Sequence, residues 1–389
     1  MIKQILETYS PKVIRAFIIA LCFLCIVTVQ GMHEREAQQF VMTIAISVIF
    51  GLLLRNIWLT GFLWWTLFLF CFFKFETGHT YLSNIFYCSI LYYLTKTYFK
   101  KKHIKYFFNA IVVLMSINVL YAFIQLAGYD FIYGENFLTA TAWKNHAINL
   151  KPTGFMGHAS ILGYLCALAV PICAMRRSKW GKMTLVLAFA GLYLSKASSC
   201  LLIAIIGLIF VSFFRVPRKL WWGIVIVLLI GGGSYLKWVD RPQRARLSQW
   251  QVVLRKATVR PITGWGLDSF RNITKTKTFN FATKVNKTWS KNVLHQNVHK
   301  WDNPHNLYVS LFFEWGVFGL VFLFGYVYSL FRMFRYSMKS DQTLALGAFC
   351  AIVLLISLAH FPMFLARTAC FIIPGFALFE LSMKKETYA

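Results

Sequence analysis

Acidic side chains are scarce: 13 Asp and Glu stand against 41 Lys and Arg in 389 residues. Charge of either sign is also thin, at 14% of residues, where soluble domains carry about 25%. That shortage, with 58% apolar residues, excludes an ordinary soluble globular protein. Disulfide-framework residues are missing too. None of the nine cysteines falls in the one long polar segment, and Cys22 and Cys25, at CxxC spacing, sit in an apolar run without partner ligands. They read as small buried apolar residues. No Asp/Glu or Cys/His cluster in the polar loops has octahedral or tetrahedral ligand spacing, so neither a metal nor another cofactor is expected. Gly264-Trp-Gly266 lacks the third glycine of a dinucleotide loop and shapes a turn instead. The basic residues are scattered between apolar runs rather than gathered on a soluble domain, which argues against nucleic acid as a partner. The first apolar run lacks a small-residue cleavage pattern and reads as a retained helix, not a cleaved leader.

What is present is a succession of apolar runs. Runs of roughly 18 to 22 residues cross a hydrocarbon core of about 30 Å. Segments apolar all round, with every backbone group needing an internal partner, predict an all-α polytopic membrane protein. About twelve transmembrane helices are expected, over 13–30, 40–54, 57–73, 81–98, 105–127, 158–175, 182–195, 198–214, 219–236, 306–331, 343–360 and 362–383. This divides the chain into helices over 1–236, a polar loop over 237–305 and further helices over 306–389. Alternate connections carry the cations, such as Lys100, Lys101 and Lys102, Arg176 and Arg177, and Arg215 and Arg218. They read as cytoplasmic by the positive-inside rule. Both termini then lie inside, and segment 237–305 lies outside. That segment holds fourteen cations and three acids, a net charge of +11, which suits a polyanionic substrate. Its Leu247, Trp250, Leu254 and Ala257 form one apolar stripe of an amphipathic helix, with Arg244, Ser248, Gln251 and Arg255 on another side. Such a helix is expected to lie on the membrane surface.

Four places could carry chemistry. His305 stands at the start of an apolar helix beside Asn306, where the helix field favours anions and neutral imidazole, so it is available as a base. Glu314 is an acid inside the span, nine residues on. It is half a turn out of phase and about 13 Å deeper on a straight helix, so it cannot orient His305 directly. Gly316 and Gly319 beside it read as helix-packing positions. Arg367 in the last expected span and Lys196 at a tight joint fall on the same outer side as His305.

Three stretches together resemble the O-antigen ligase and O-antigen polymerase superfamily of bacterial envelopes. They are Gly154-Phe-Met-Gly-His158 running on to Pro171; Arg246-Leu-Ser-Gln-Trp250 with Pro261-Ile-Thr-Gly-Trp-Gly266 and Phe270; and His305-Asn306 with Glu314-Trp-Gly316 and Gly319. The third is the most specific. The resemblance implies a GT-C-like glycosyltransferase in the bacterial inner membrane, working from its periplasmic face without a metal. It implies an undecaprenyl-diphosphate-linked glycan as donor and membrane lipid as surroundings. The acceptor is lipid A-core for a ligase, or another lipid-linked glycan for a polymerase. His305, Arg246 and Glu314 become candidate catalytic residues, with Arg241, Arg244, Arg367, Lys196, Asn306 and His158 as candidate substrate-binding residues. The sequence departs from the family where a Ser/Thr-Arg pair is usual: it reads Leu194-Ser-Lys196, and lysine lacks the bidentate fork of arginine. A transporter for an anionic lipid or sugar is a reading of another class; no repeated halves with broken helices support it.

Overall fold

A computed structural model describes residues 80–129, 152–176, 178–214, 250–251, 253–266, 269–270, 305–337, 340–358 and 366–383. The expected spans 13–30, 40–54, 57–73 and 219–236, and most of segment 237–305, lie outside these residues. Among the described residues there are helices and no strand. The long helices are α1 (Thr80–Tyr98), α2 (Ile104–Leu126), α3 (Ala159–Ala174), α4 (Lys179–Ser195), α5 (Ser198–Phe213), α6 (Leu307–Ser337), α7 (Asp341–Ile356) and α8 (Ala366–Met383). Each falls on one of the expected spans. Among the described residues two helices, over Lys101–Leu126 and Leu307–Arg335, are long and apolar enough to cross a membrane.

Local chemistry sets the helix ends. Ser178 Oγ accepts the Gly181 N–H at 3.1 Å to start α4, and Ser340 Oγ accepts the Thr343 N–H at 3.1 Å to start α7. These are side-chain caps on otherwise orphaned donors. The α4–α5 joint is a single tight corner: Lys196 takes a left-handed conformation (φ 48°) and ends α4.

Helix α3 is the centre of the core. Every residue from Ile161 to Cys173 is buried, among α2, α4, α5 and α7. Small residues let the backbones approach. A Cβ on Gly191 of α4 would lie 2.5 Å from Cys166 Sγ, and one on Gly207 of α5 would lie 2.4 Å from Ile352 of α7. Polar ties hold the two ends. At one end Lys96 of α1 pairs with Glu380 of α8 at 2.7 Å, and the Tyr92 hydroxyl donates to the same carboxylate. At the other end the Leu307 N–H donates to Ser357 O at 2.9 Å, joining the start of α6 to the end of α7. This second end also holds the start of α3 and the α4–α5 corner. By the cation pattern of the connections it is the expected outer end.

Candidate active site

The first motif builds the entry to α3. Gln125, buried at the end of α2, accepts the N–H groups of Thr153 (2.9 Å) and Gly154 (2.8 Å) on one oxygen, and donates to Thr153 Oγ1 at 3.2 Å. The Phe155 ring stacks on Tyr121, centroids 4.2 Å apart. The chain then turns at Gly157 in the left-handed region (φ 66°) and delivers His158 as an exposed N-cap, whose Nδ1 accepts the Ser160 N–H at 3.2 Å. One turn further on, a Cβ on Gly163 would lie 2.8 Å from Ala197 Cβ. That close approach places the Lys196 corner beside the first turns of α3, so His158 and Lys196 share the outer end.

The second and third motifs interlock. Helix α6 is broken at Gly316 (φ 61°, ψ −148°), a conformation open essentially to glycine alone. In an unbroken helix the Val317 N–H would donate to Phe313 O, four residues back. It donates instead to Pro261 O at 2.8 Å, while Trp265 N–H takes Phe313 O at 2.9 Å and Gly266 N–H takes Glu314 O at 3.0 Å. The loop thus supplies the backbone partners that the break removes, which matters because an unpaired buried backbone group costs free energy comparable to a lost hydrogen bond. Contact is tight on both sides. A Cβ on Gly264 would lie 2.3 Å from Glu314 O, and one on Gly316 would lie 2.3 Å from Ile262 O. Gly316 was expected to pack helix on helix; its tight neighbour is the loop.

A small apolar cluster closes the interlock: Val253, Ala257 and Phe270 pack with Val309 and Phe313 of α6. Residues 250–251 and 253–257 are helical, as expected from the apolar stripe. The buried face, however, runs through Val253 and Ala257, with Leu254 exposed, because the helix lies on α6 rather than on its own. Trp265 bridges the layers. Its Nε1 donates to Lys256 O at 3.0 Å, its ring lies parallel to Phe313, and the Arg260 guanidinium sits 4.6 Å above it. The exposed Arg260 is therefore a cation fixed by cation–π attraction.

His305 and Asn306 start α6. Asn306 is buried, and its Oδ1 accepts the Val309 N–H at 3.1 Å, an N-cap worth about 1 kcal/mol. His305 precedes it, exposed and left-handed (φ 50°). Among the described residues only Lys196 and His305 are non-glycine residues with positive φ, and both are at the outer end. Such conformations are uncommon and cluster at functional sites. Glu314 is 2% exposed, two residues before the break.

His158, Lys196, His305 and Asn306 each lie at the outer end of a described helix, and Glu314 is buried further along α6. Arg367 lies in the first turn of α8. Arg241, Arg244 and Arg246 lie outside the described residues. Sequence reasoning missed the fixed Arg260 and the loop's role as backbone partner to α6. The signal was present as two glycine-bearing tripeptides, Gly264-Trp-Gly266 and Glu314-Trp-Gly316, each read alone.

Residues 183–324, from within α4 through the polar segment and past the Gly316 break, match the family described as O-antigen ligase. No curated protein matches the chain. The family is one of membrane proteins in lipopolysaccharide biosynthesis, with ligase or polymerase-type activity in general. By that matched stretch, which holds the interlock, Lys196 and His305, the chain is similar to the O-antigen ligase and polymerase superfamily.

Proposed function

We propose that the protein is an O-antigen ligase. It transfers a glycan from undecaprenyl diphosphate to a sugar hydroxyl of lipid A-core, at the periplasmic face of the bacterial inner membrane and without a metal. The observation that carries this reading is the matched stretch itself: an exposed His305 held at a helix start, closing in sequence a cation-rich segment of net charge +11. In the proposed step the acceptor oxygen attacks the anomeric carbon of the donor. His305 takes the hydroxyl proton, the bond from that carbon to the diphosphate oxygen breaks, and undecaprenyl diphosphate leaves. The departing charge needs fixed donors, and arginine forks supply them without a metal. Arg246 and Arg367 are assigned that clamp. Arg241, Arg244 and Lys196 are assigned to the phosphates nearby, and Asn306 and His158 to the surrounding site. Glu314 is assigned to catalysis through the interlocked segment of α6. A phosphorylated core acceptor matches the basic segment better than the neutral glycan end of a polymerase acceptor.

Two outcomes are expected. Purified protein supplied with the lipid-diphosphate glycan and lipid A-core transfers at an undiminished rate in excess EDTA; activity that vanishes with EDTA and returns with magnesium overturns the metal-free step. With a cysteine introduced at Asn286, in a background stripped of reactive thiols, an impermeant thiol reagent labels cells whose outer membrane alone is permeabilised. Labelling only after inner-membrane lysis reverses the topology and removes the periplasmic reading.

A further inference from the structure

At the end of the bundle opposite His305, the helices α2, α3 and α7 enclose a cleft of about 370 Å³. Lys105 and Asn109 of α2, Arg176 just past α3 and Asp341 in the first turn of α7 form its polar wall, and Phe108 and Ile172 are on its apolar side. The volume is within the range of small-ligand sites, roughly 300–1,000 Å³. Arg176 Nη2 donates to Asn109 Oδ1 at 2.6 Å, which holds the guanidinium across the α2–α3 gap. Burial lowers the Arg176 pKa from its ordinary value. The guanidinium has therefore lost part of its hydration and gains more from an anionic partner.

The charges are ordered rather than uniform: two cations share the cleft with one carboxylate. A free phosphate, near two negative charges at neutral pH, would meet Asp341 at a cost. A zwitterion satisfies both signs. The neighbouring connections carry Lys100, Lys101, Lys102, Lys179 and Lys182, the pattern of a membrane's cytoplasmic interface. We propose that this cleft binds the headgroup of an amine-bearing phospholipid, with the phosphodiester on Arg176 and Lys105, the ammonium on Asp341 and the glycerol end along Phe108 and Ile172. The site lies at the far end from the proposed transfer chemistry and does not depend on it.

The test is native mass spectrometry of the full chain in detergent, titrated with phosphatidylethanolamine, phosphatidylglycerol or inorganic phosphate. Phosphatidylethanolamine is expected to bind about tenfold more tightly than phosphatidylglycerol, the size of one charge-assisted bond. Asp341→Asn brings the two lipids to near equality. Lys105→Gln weakens both by about tenfold. Arg176→Gln does the same, and is scored if its melting temperature matches the parent's; Lys105→Gln carries the test otherwise. Equal binding of the two lipids by the parent, or a preference unchanged by Asp341→Asn, overturns the proposal. So does displacement of the lipid by inorganic phosphate, which marks a free-phosphate site.

Discussion

Replacing His305 by alanine is expected to lower the transfer rate by about 10²- to 10⁴-fold, the usual worth of a general base, while donor binding survives. The separation follows from the assignment: His305 acts on the acceptor proton, and arginines elsewhere hold the diphosphate. The backbone at His305 complicates a simple alanine test, because its φ is 50° and a left-handed residue costs roughly 1–2 kcal/mol for most side chains. Asparagine accepts that conformation more readily. His305→Asn therefore keeps the backbone while removing the base. Both variants are expected to lose rate alike and to bind the lipid-diphosphate donor like the parent, and His305→Asn is expected to melt close to it. Near-parent transfer in His305→Asn rules out His305 as the base and points to substrate-assisted attack or to Glu314.

A comparable loss is expected from Gly316→Ala, for a different reason. Its φ and ψ fall where essentially only glycine goes, and the added methyl would lie 2.3 Å from Ile262 O and 2.5 Å from Pro261 O. Both obstacles are backbone, so neither can turn aside as a side chain would. Relief requires the loop to leave α6, and the bonds Val317 N–H to Pro261 O, Trp265 N–H to Phe313 O and Gly266 N–H to Glu314 O go with it. A cost of about 3 kcal/mol or more is expected, from the strained conformation and the lost backbone partners together. Transfer should fall to background and the melting transition should drop. Gly325→Ala on the same helix is the control: nothing lies within 4 Å of its Cβ, and alanine is the better helix former. A Gly316→Ala protein that melts and transfers like Gly325→Ala would show that the interlock does not hold the site.

The helices were legible because their signal is strong. A span apolar all round cannot be exposed to water, and hydropathy alone placed α1 to α8, with ends that differ by up to six residues. Asn306 caps α6 directly before an apolar run, where such a residue is a ready cap former. The break in α6 was not legible. A glycine inside an apolar run serves equally as a packing position, and what distinguishes Gly316 is a partner some fifty residues earlier in the chain. Periodicity within one segment carries no information on such a pairing. The same limit hid Arg260: as one of fourteen cations in its segment it is unremarkable until the Trp265 ring is found beneath it. His305 was legible as a residue at a helix start, but its left-handed backbone (φ 50°) was not.

The central claim, that the glycan is joined to lipid A-core, is tested most directly by a gel of lipopolysaccharide from cells in which this chain is inactivated by His305→Asn. The account predicts bare lipid A-core, with the polymer made but left on its lipid carrier. Core carrying a single repeat unit would contradict it and would identify a polymerase.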